Sequence, residues 1–205
     1  MTTSSHEPAQ CAGPDLAPRA PSFKMPAGAT DCHAHVFGAK EKYGWAGDRL
    51  YTPPPVYLKD YLAMHDALGV ARGVIVQSGV HGTNNDVLVD SIAQAPQRLR
   101  GIALIPENIS DAELDRLNAA GVRGFRANLV AGTGVQFEAS RKLAARVARL
   151  GWHVQYLLDI EKFPDLDRVL GDFPVECMID HMGRPDTRGG TDAPGFQALI
   201  RYLQS

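Results

Sequence analysis

The residues best suited to chemistry are three histidines in two short stretches of this 205-residue chain. The first stretch is Asp31-Cys32-His33-Ala34-His35, inside a run that reads as a strand. Strand side chains alternate, so Asp31, His33 and His35 are expected on one face, and Cys32, Ala34 and Val36 on the other. Two imidazoles side by side at a strand's end can bind a metal, or donate hydrogen bonds to a developing oxyanion. A pair of surface histidines on an edge strand is the plainer alternative. The second stretch, Asp180-His181-Met182-Gly183-Arg184-Pro185, places a histidine where an apolar strand stops before a Gly/Pro loop. Arg184 there can grip a carboxylate in bidentate fashion; a loop histidine with a solvated arginine is the alternative.

A third stretch, Arg123-Gly124-Phe125-Arg126-Ala127-Asn128, puts Gly124, Arg126 and Asn128 on one strand face. An arginine inside a strand is costly unless it meets an anion, so either an anionic substrate or an internal ion pair is expected. Tyr51 and Tyr156 are weaker candidates, because buried tyrosines more often fill space with one satisfied hydroxyl. In the polar run Gln77 to Asp86, Asn84 or Asn85 is the expected helix N-cap. Gln77, Ser78 and His81 are then left to line a pocket. His6, His65 and His153 read as ordinary, and Trp45 and Trp152 carry no functional signal.

These residues need elements to hold them. Strands are expected at about 30–36, 73–77, 101–105, 122–128, 153–158 and 175–180. Most are short and rich in Val, Ile and Leu, as strands covered on both faces are. Amphipathic helices fall between them, at about 56–69, 84–96, 111–120, 138–150, 164–172 and 195–204. Ser110 with Glu113 forms a capping box, while Gly69, Gly121 and Gly151 mark helix ends. Six strand–helix repeats predict an α/β fold with a parallel sheet. No GxGxxG or GxxxxGK[ST] follows the first strand, which weakens a nucleotide-binding open sheet. A polar, His-bearing strand end suits a TIM-type (β/α)8 barrel, whose sites lie at the C-terminal ends of its strands. Residues 1–27, rich in Pro, Ala, Ser and Gly, read as a disordered leader, and 28–205 as the barrel domain. A complete barrel typically takes about 250 residues, so the domain is expected to lack its last two units.

Composition narrows the class. Lys and Arg number 21 against 23 Asp and Glu, a net charge of −2, which gives no basic surplus for nucleic acid or anionic lipid. No run is long and apolar enough for a membrane span, and the N-terminus lacks the pattern of a secretory signal. Cys11, Cys32 and Cys177 are odd in number and form no CxxC pair, which fits a cytoplasmic protein without a disulfide framework. Oligomeric state is not legible.

Taken in order, DCHAHVFG, the Tyr-Thr-Pro-Pro-Pro run from Tyr51, VQSGVHGTNND, GVRGFRANLV and DHMGRPD resemble the amidohydrolase superfamily. More narrowly they are similar to its 2-pyrone-4,6-dicarboxylate lactonase and sugar-lactonase branch, from about Met25 to Pro185. The resemblance implies a hydrolase that opens a lactone, often carboxylate-bearing, by attack of water on the carbonyl, with no required metal. By motif, His33, His35 and His181 would polarise the carbonyl, while Tyr51, Ser78, Arg126, Asn128, Tyr156 and Arg184 would hold the small-molecule substrate. Metal-dependent members carry further ligands on the fourth and fifth strands, where this chain has Arg126 with Asn128 and Gln155 with Tyr156. A binuclear centre therefore lacks ligands, and a single Zn on His33, His35 and His181 is the alternative. A second basic clamp is not expected in the loop Val130–Gly134. The general base that the family carries on its eighth strand is expected to be missing, leaving the chain with little activity of its own. A sugar-lactone isomerase, a decarboxylase of a neighbouring branch and an inactive remnant are the other readings.

Overall fold

The computed structural model describes residues 7–130 and 133–205, so part of the loop Val130–Gly134 and the first six residues of the leader lie outside the described residues. The chain divides into two compact units: residues 1–104 with 119–122, and residues 105–118 with 123–205.

The first unit holds β1 (Thr30–Ala34), a short α1 (Lys40–Tyr43), α2 (Leu58–Leu68), β2 (Arg72–Val76), α3 (Asp86–Gln94) and β3 (Leu99–Ala103). Its strands are parallel, in the order β1-β2-β3. Ile75, Val76, Leu88, Ile92, Leu99 and Ile102 are almost wholly shielded from solvent and form its core. Two close approaches depend on glycine. A Cβ on Gly73 would run into the Tyr61 hydroxyl, and one on Gly101 would meet Leu88 and Ile92 at 2.8 Å. Asn85 begins α3, but its side chain makes no cap bond. It reaches instead to the end of β3, accepting from the Leu104 N–H and donating to the Leu104 carbonyl, each at 3.0 Å. Asn84 supplies the local turn bond, its Oδ1 accepting from the Asp86 N–H.

The second unit holds α4 (Asp111–Ala119, whose last residue belongs to the first unit), β4 (Val122–Asn128, whose first residue belongs to the first unit), β5 (Thr133–Gly134), α5 (Phe137–Val147), β6 (His153–Leu157), α6 (Leu166–Gly171), β7 (Cys177–Ile179) and α7 (Pro194–Gln204). Here β4, β6 and β7 run parallel in that order, and β5 pairs antiparallel with the end of β4. Ser110 accepts from the Glu113 N–H and caps α4 as expected. Leu114, Leu117, Phe125, Leu143, Val147, Val154 and Leu158 make up the core.

Six βα units are thus present among the described residues, each strand and helix lying within a few residues of its sequence-based expectation. Periodicity overlooked α1 and β5, which are too short to show any. In the leader, residues 7–29 form no helix. Gln10 nevertheless makes an isolated parallel bridge to Thr52, with Thr52 N–H donating to Ala9 O at 2.8 Å and Cys11 N–H to Thr52 O at 2.9 Å. Composition gave no hint of this pairing. No helix among the described residues is long and apolar enough to cross a membrane.

Candidate active site

In the first unit the candidate residues gather at the C-terminal ends of β1 and β2. His33 and His35 stand edge-on to one another, their ring centroids 5.2 Å apart. The His35 Nδ1–H donates to the Val76 carbonyl at 2.7 Å, which fixes the ring's tautomer and leaves Nε2 as its other polar atom. Tyr51 and Ser78 share a hydroxyl–hydroxyl hydrogen bond of 3.0 Å, and Ser78 Oγ also accepts from the Val80 N–H.

Strict alternation fails in β1, which corrects the expectation that Asp31 shares a face with the two histidines. The pairing register with β2 shifts between Asp31 and Ala34, so Asp31 turns to α2. Its carboxylate accepts from the Tyr61 hydroxyl at 3.1 Å and lies 3.4 Å from His65 Nε2, while its other oxygen accepts from the His33 N–H at 3.1 Å. Burial, then the Asp31 charge, push the Tyr61 hydroxyl far above its ordinary pKa, so it remains a donor. Asp31 ties β1 to α2 from behind the strand. His65, read as ordinary, is wholly buried in this network.

Two expected pocket residues are engaged elsewhere. Gln77, 1% exposed, donates to the Asn84 carbonyl at 2.7 Å, and His81, also buried, hydrogen-bonds through Nδ1 to the Gly44 carbonyl at 2.8 Å. Both fasten the loop after β2. Burial holds the His81 imidazole below its ordinary pKa.

In the second unit Arg126 resolves the choice that the sequence left open, because its anion is internal. Its guanidinium donates to Asp180 at 2.9 Å, with both side chains buried. Arg126 Nε is buried and has no hydrogen-bond partner among the described residues. Register pairs Arg126 with Gln155 and Gly124 with His153. Gly124 permits that second approach: a Cβ there would lie 2.7 Å from the His153 carbonyl and 3.1 Å from its ring. Gln155, also buried, is a functional candidate that sequence reasoning passed over in favour of its neighbour. The period-two rule contained the signal, since it puts Gln155 on the β6 face of His153 and Tyr156 on the other. Asn128, at the end of β4, is largely buried.

Tyr156 requires correction as a substrate-holding residue. It is wholly buried, its hydroxyl is hydrogen-bonded to Ser140 of α5 at 2.5 Å, and its ring packs on Phe137 and Phe173. It is a helix-facing core tyrosine. Burial raises its pKa strongly.

Beyond β7 the chain takes an uncommon path. His181, Met182, Gly183 and Arg184 all have φ between 52° and 72°, a short left-handed turn. Non-glycine residues pay roughly 1–2 kcal/mol each for this conformation, and such strain tends to persist at functional sites. Gly183 is required twice over, since a Cβ there would also lie 2.7 Å from Ile160. The turn leaves His181 exposed beside buried Asp180, and Arg184 faces Asp159 at 3.6 Å.

Cation donors are present in each unit taken alone: the His33–His35 pair in the first, and Asp180 with His181 in the second. The Val76 carbonyl on His35 Nδ1 is the type of outer contact that orients a ligating imidazole, so the histidine pair fits a metal as well as a carbonyl oxygen.

Comparison with known proteins gives this geometry a lineage. The chain is 40% identical over 190 residues to a 2-pyrone-4,6-dicarboxylate hydrolase of Comamonas testosteroni, covering 91% of this chain and 62% of that one. It is 34% identical to a 4-sulfomuconolactone hydrolase of Rhizobium radiobacter, covering 92% and 64%. It therefore spans a little under two thirds of these curated relatives. Among solved structures, a probable 2-pyrone-4,6-dicarboxylic acid hydrolase from Acinetobacter baumannii with citric acid bound matches with a TM-score of 0.76 at 28% identity, covering 86% of this chain and 66% of that one. An amidohydrolase from Burkholderia multivorans with bound zinc shares the fold, at TM-score 0.62 and 16% identity, covering 87% and 66%. The strand–helix repeats are accordingly those of the amidohydrolase-type TIM barrel. The amidohydrolase family model matches residues 30–205, and the chain belongs to that family.

Proposed function

We propose that the protein hydrolyses a carboxylate-bearing lactone, with 2-pyrone-4,6-dicarboxylate the leading substrate and the cytoplasm its place of action. Three free cysteines support the location. The observation that carries the function is the His33–His35 pair with His35 anchored on the Val76 carbonyl, in a chain 40% identical to a hydrolase of that dicarboxylate.

In this proposal water adds to the lactone carbonyl, the ring C–O bond breaks, and the departing oxygen takes up a proton. The histidines His33, His35 and His181 stabilise the negative charge that develops on the carbonyl oxygen. The Tyr51–Ser78 hydroxyl pair, Asn128 and Arg184 hold the substrate. Arg126 contributes by holding Asp180 beside His181. The reaction proceeds without metal in this reading. A single zinc on the histidines is the alternative, and it would supply Lewis-acid polarisation of the same carbonyl.

The test measures binding by calorimetry and turnover by ring-opening absorbance, using the full 205-residue chain. Pyrone dicarboxylate, 4-sulfomuconolactone and a sugar lactone are compared, each with and without chelator. The expected result is tightest binding of the dicarboxylate, unchanged by chelator and weakened at least tenfold in His35→Ala. Preference for the sugar lactone would overturn the substrate assignment. Loss of binding on chelation would overturn the metal-free mechanism.

A further inference from the structure

The leader crosses the first unit at a particular place. Its backbone is stitched to Thr52 by the three contacts of Ala9, Gln10 and Cys11, and Thr52 Oγ1 donates to Pro8 O at 2.8 Å. Glu7 adds a 2.7 Å ion pair with Arg49, whose side chain is only 10% exposed. Thr52 directly follows Tyr51, so these contacts fix the strap against the residue that pairs with Ser78. Beyond them, Cys11–Pro14 borders an open cleft of about 440 Å³, whose other lining includes His35, Tyr51, Phe37 and Pro54. The cleft is apolar except for the tyrosine, the histidine and the Cys11 thiol. Such a surface suits the face of a flat unsaturated ring whose polar atoms point towards one end.

We infer that Cys11–Pro14 forms a wall of the substrate site and contacts the ring face of the lactone, which makes the N-terminal strap a specificity determinant. This rests on the lactone reading above, and the test separates the two. A Cβ built on Gly13 lies 3.7 Å from Pro54 Cβ, an ordinary contact, so Gly13→Trp can fill the cleft from the strap side without a backbone clash. Calorimetry with 2-pyrone-4,6-dicarboxylate is run on the full wild-type chain and on Gly13→Trp. In parallel, iodoacetamide labelling of wild-type Cys11, an exposed thiol, is followed by peptide mass spectrometry with and without the lactone. The expected result is at least tenfold weaker binding by Gly13→Trp, and at least threefold slower Cys11 labelling when the lactone is bound. If the wild type binds the lactone, yet Cys11 labels at an unchanged rate and Gly13→Trp binds within twofold, the strap inference fails and the lactone reading stands. If the wild type binds no lactone, the lactone reading fails and takes the strap inference with it.

Discussion

The two units hold their candidate residues by different means. In the first, side chains are pinned to backbone: His35 to Val76, His81 to Gly44, Gln77 to Asn84, and Asn85 to Leu104. In the second, charged groups are pinned to each other, Arg126 to Asp180, and the adjoining turn is left-handed. A backbone-pinned frame loses only local hydrogen bonds when one side chain is removed. A buried ion pair loses more, because its surviving partner becomes an uncompensated charge. The second unit should therefore be the more fragile to single substitutions, although its charged pair contributes little net stability.

The sharpest break of that contrast is Arg126→Met. It takes the guanidinium away from the buried Asp180 carboxylate and should cost about 3–5 kcal/mol, read from urea unfolding of the full chain. Arg126→Met combined with Asp180→Leu should recover most of the loss. A double variant as unstable as the single one would show that the pair does more than neutralise itself. The matching cut in the first unit is Asn85→Ala, which leaves the buried N–H and carbonyl of Leu104 without their side-chain partner. Each orphaned group costs about 1–3 kcal/mol, so the pair should cost about 2–6 kcal/mol, a range that overlaps that of Arg126→Met, and the measured order of the two losses decides the contrast. A loss larger than that of Arg126→Met would reverse the ranking of the two units.

Acidity should act on both units alike. His81 in the first and His153 in the second are held below the ordinary imidazole pKa, chiefly by burial. Above the unfolded value of about 6.5 both forms are neutral, and these groups do not affect stability. As pH falls below it the unfolded chain takes up protons that the folded chain refuses, and stability is lost. The slope is at most about 1.4 kcal/mol per pH unit for each histidine. His81→Asn keeps a donor for the Gly44 carbonyl while removing the titration. It should flatten the urea midpoint between pH 7 and 5, and an unchanged slope would remove His81 from the acid response.

Much of this was readable in the residues. Strand–helix alternation gave the repeat because each element buries an apolar stripe with its own period, and the histidine pair stood out because buried imidazoles are costly. Two features were not readable and a third was misjudged, each for a physical reason. Alternation assigned Asp31 to the histidines' face, but a register shift between Asp31 and Ala34 breaks period two, and nothing in the residue types marks it. Tyr156 was chosen over Gln155 by residue type, although alternation alone separated them, with Tyr156 turned to Ser140 and Gln155 on the face of His153. Arg126 could not be assigned between substrate and ion pair, because its partner lies 54 positions away and pairing at that distance is a property of the fold.

The smallest effect probes the left-handed turn. Met182 has φ of 53° and is 65% exposed, so it accepts an unfavourable backbone without burying much apolar surface in return. Met182→Gly removes the steric cost of that conformation but adds unfolded-chain entropy. The two should leave a net gain of about 0.5–1 kcal/mol, seen as a slightly higher urea midpoint. Adjacent His181 would lose some of its fixed orientation as the turn gains freedom, so affinity for the lactone should drop a few-fold while stability rises. That opposition is the signature of strain retained for placement of a side chain. If stability and affinity both rise, the turn is merely tolerated; if both fall, Met182 packs in a way its exposure conceals.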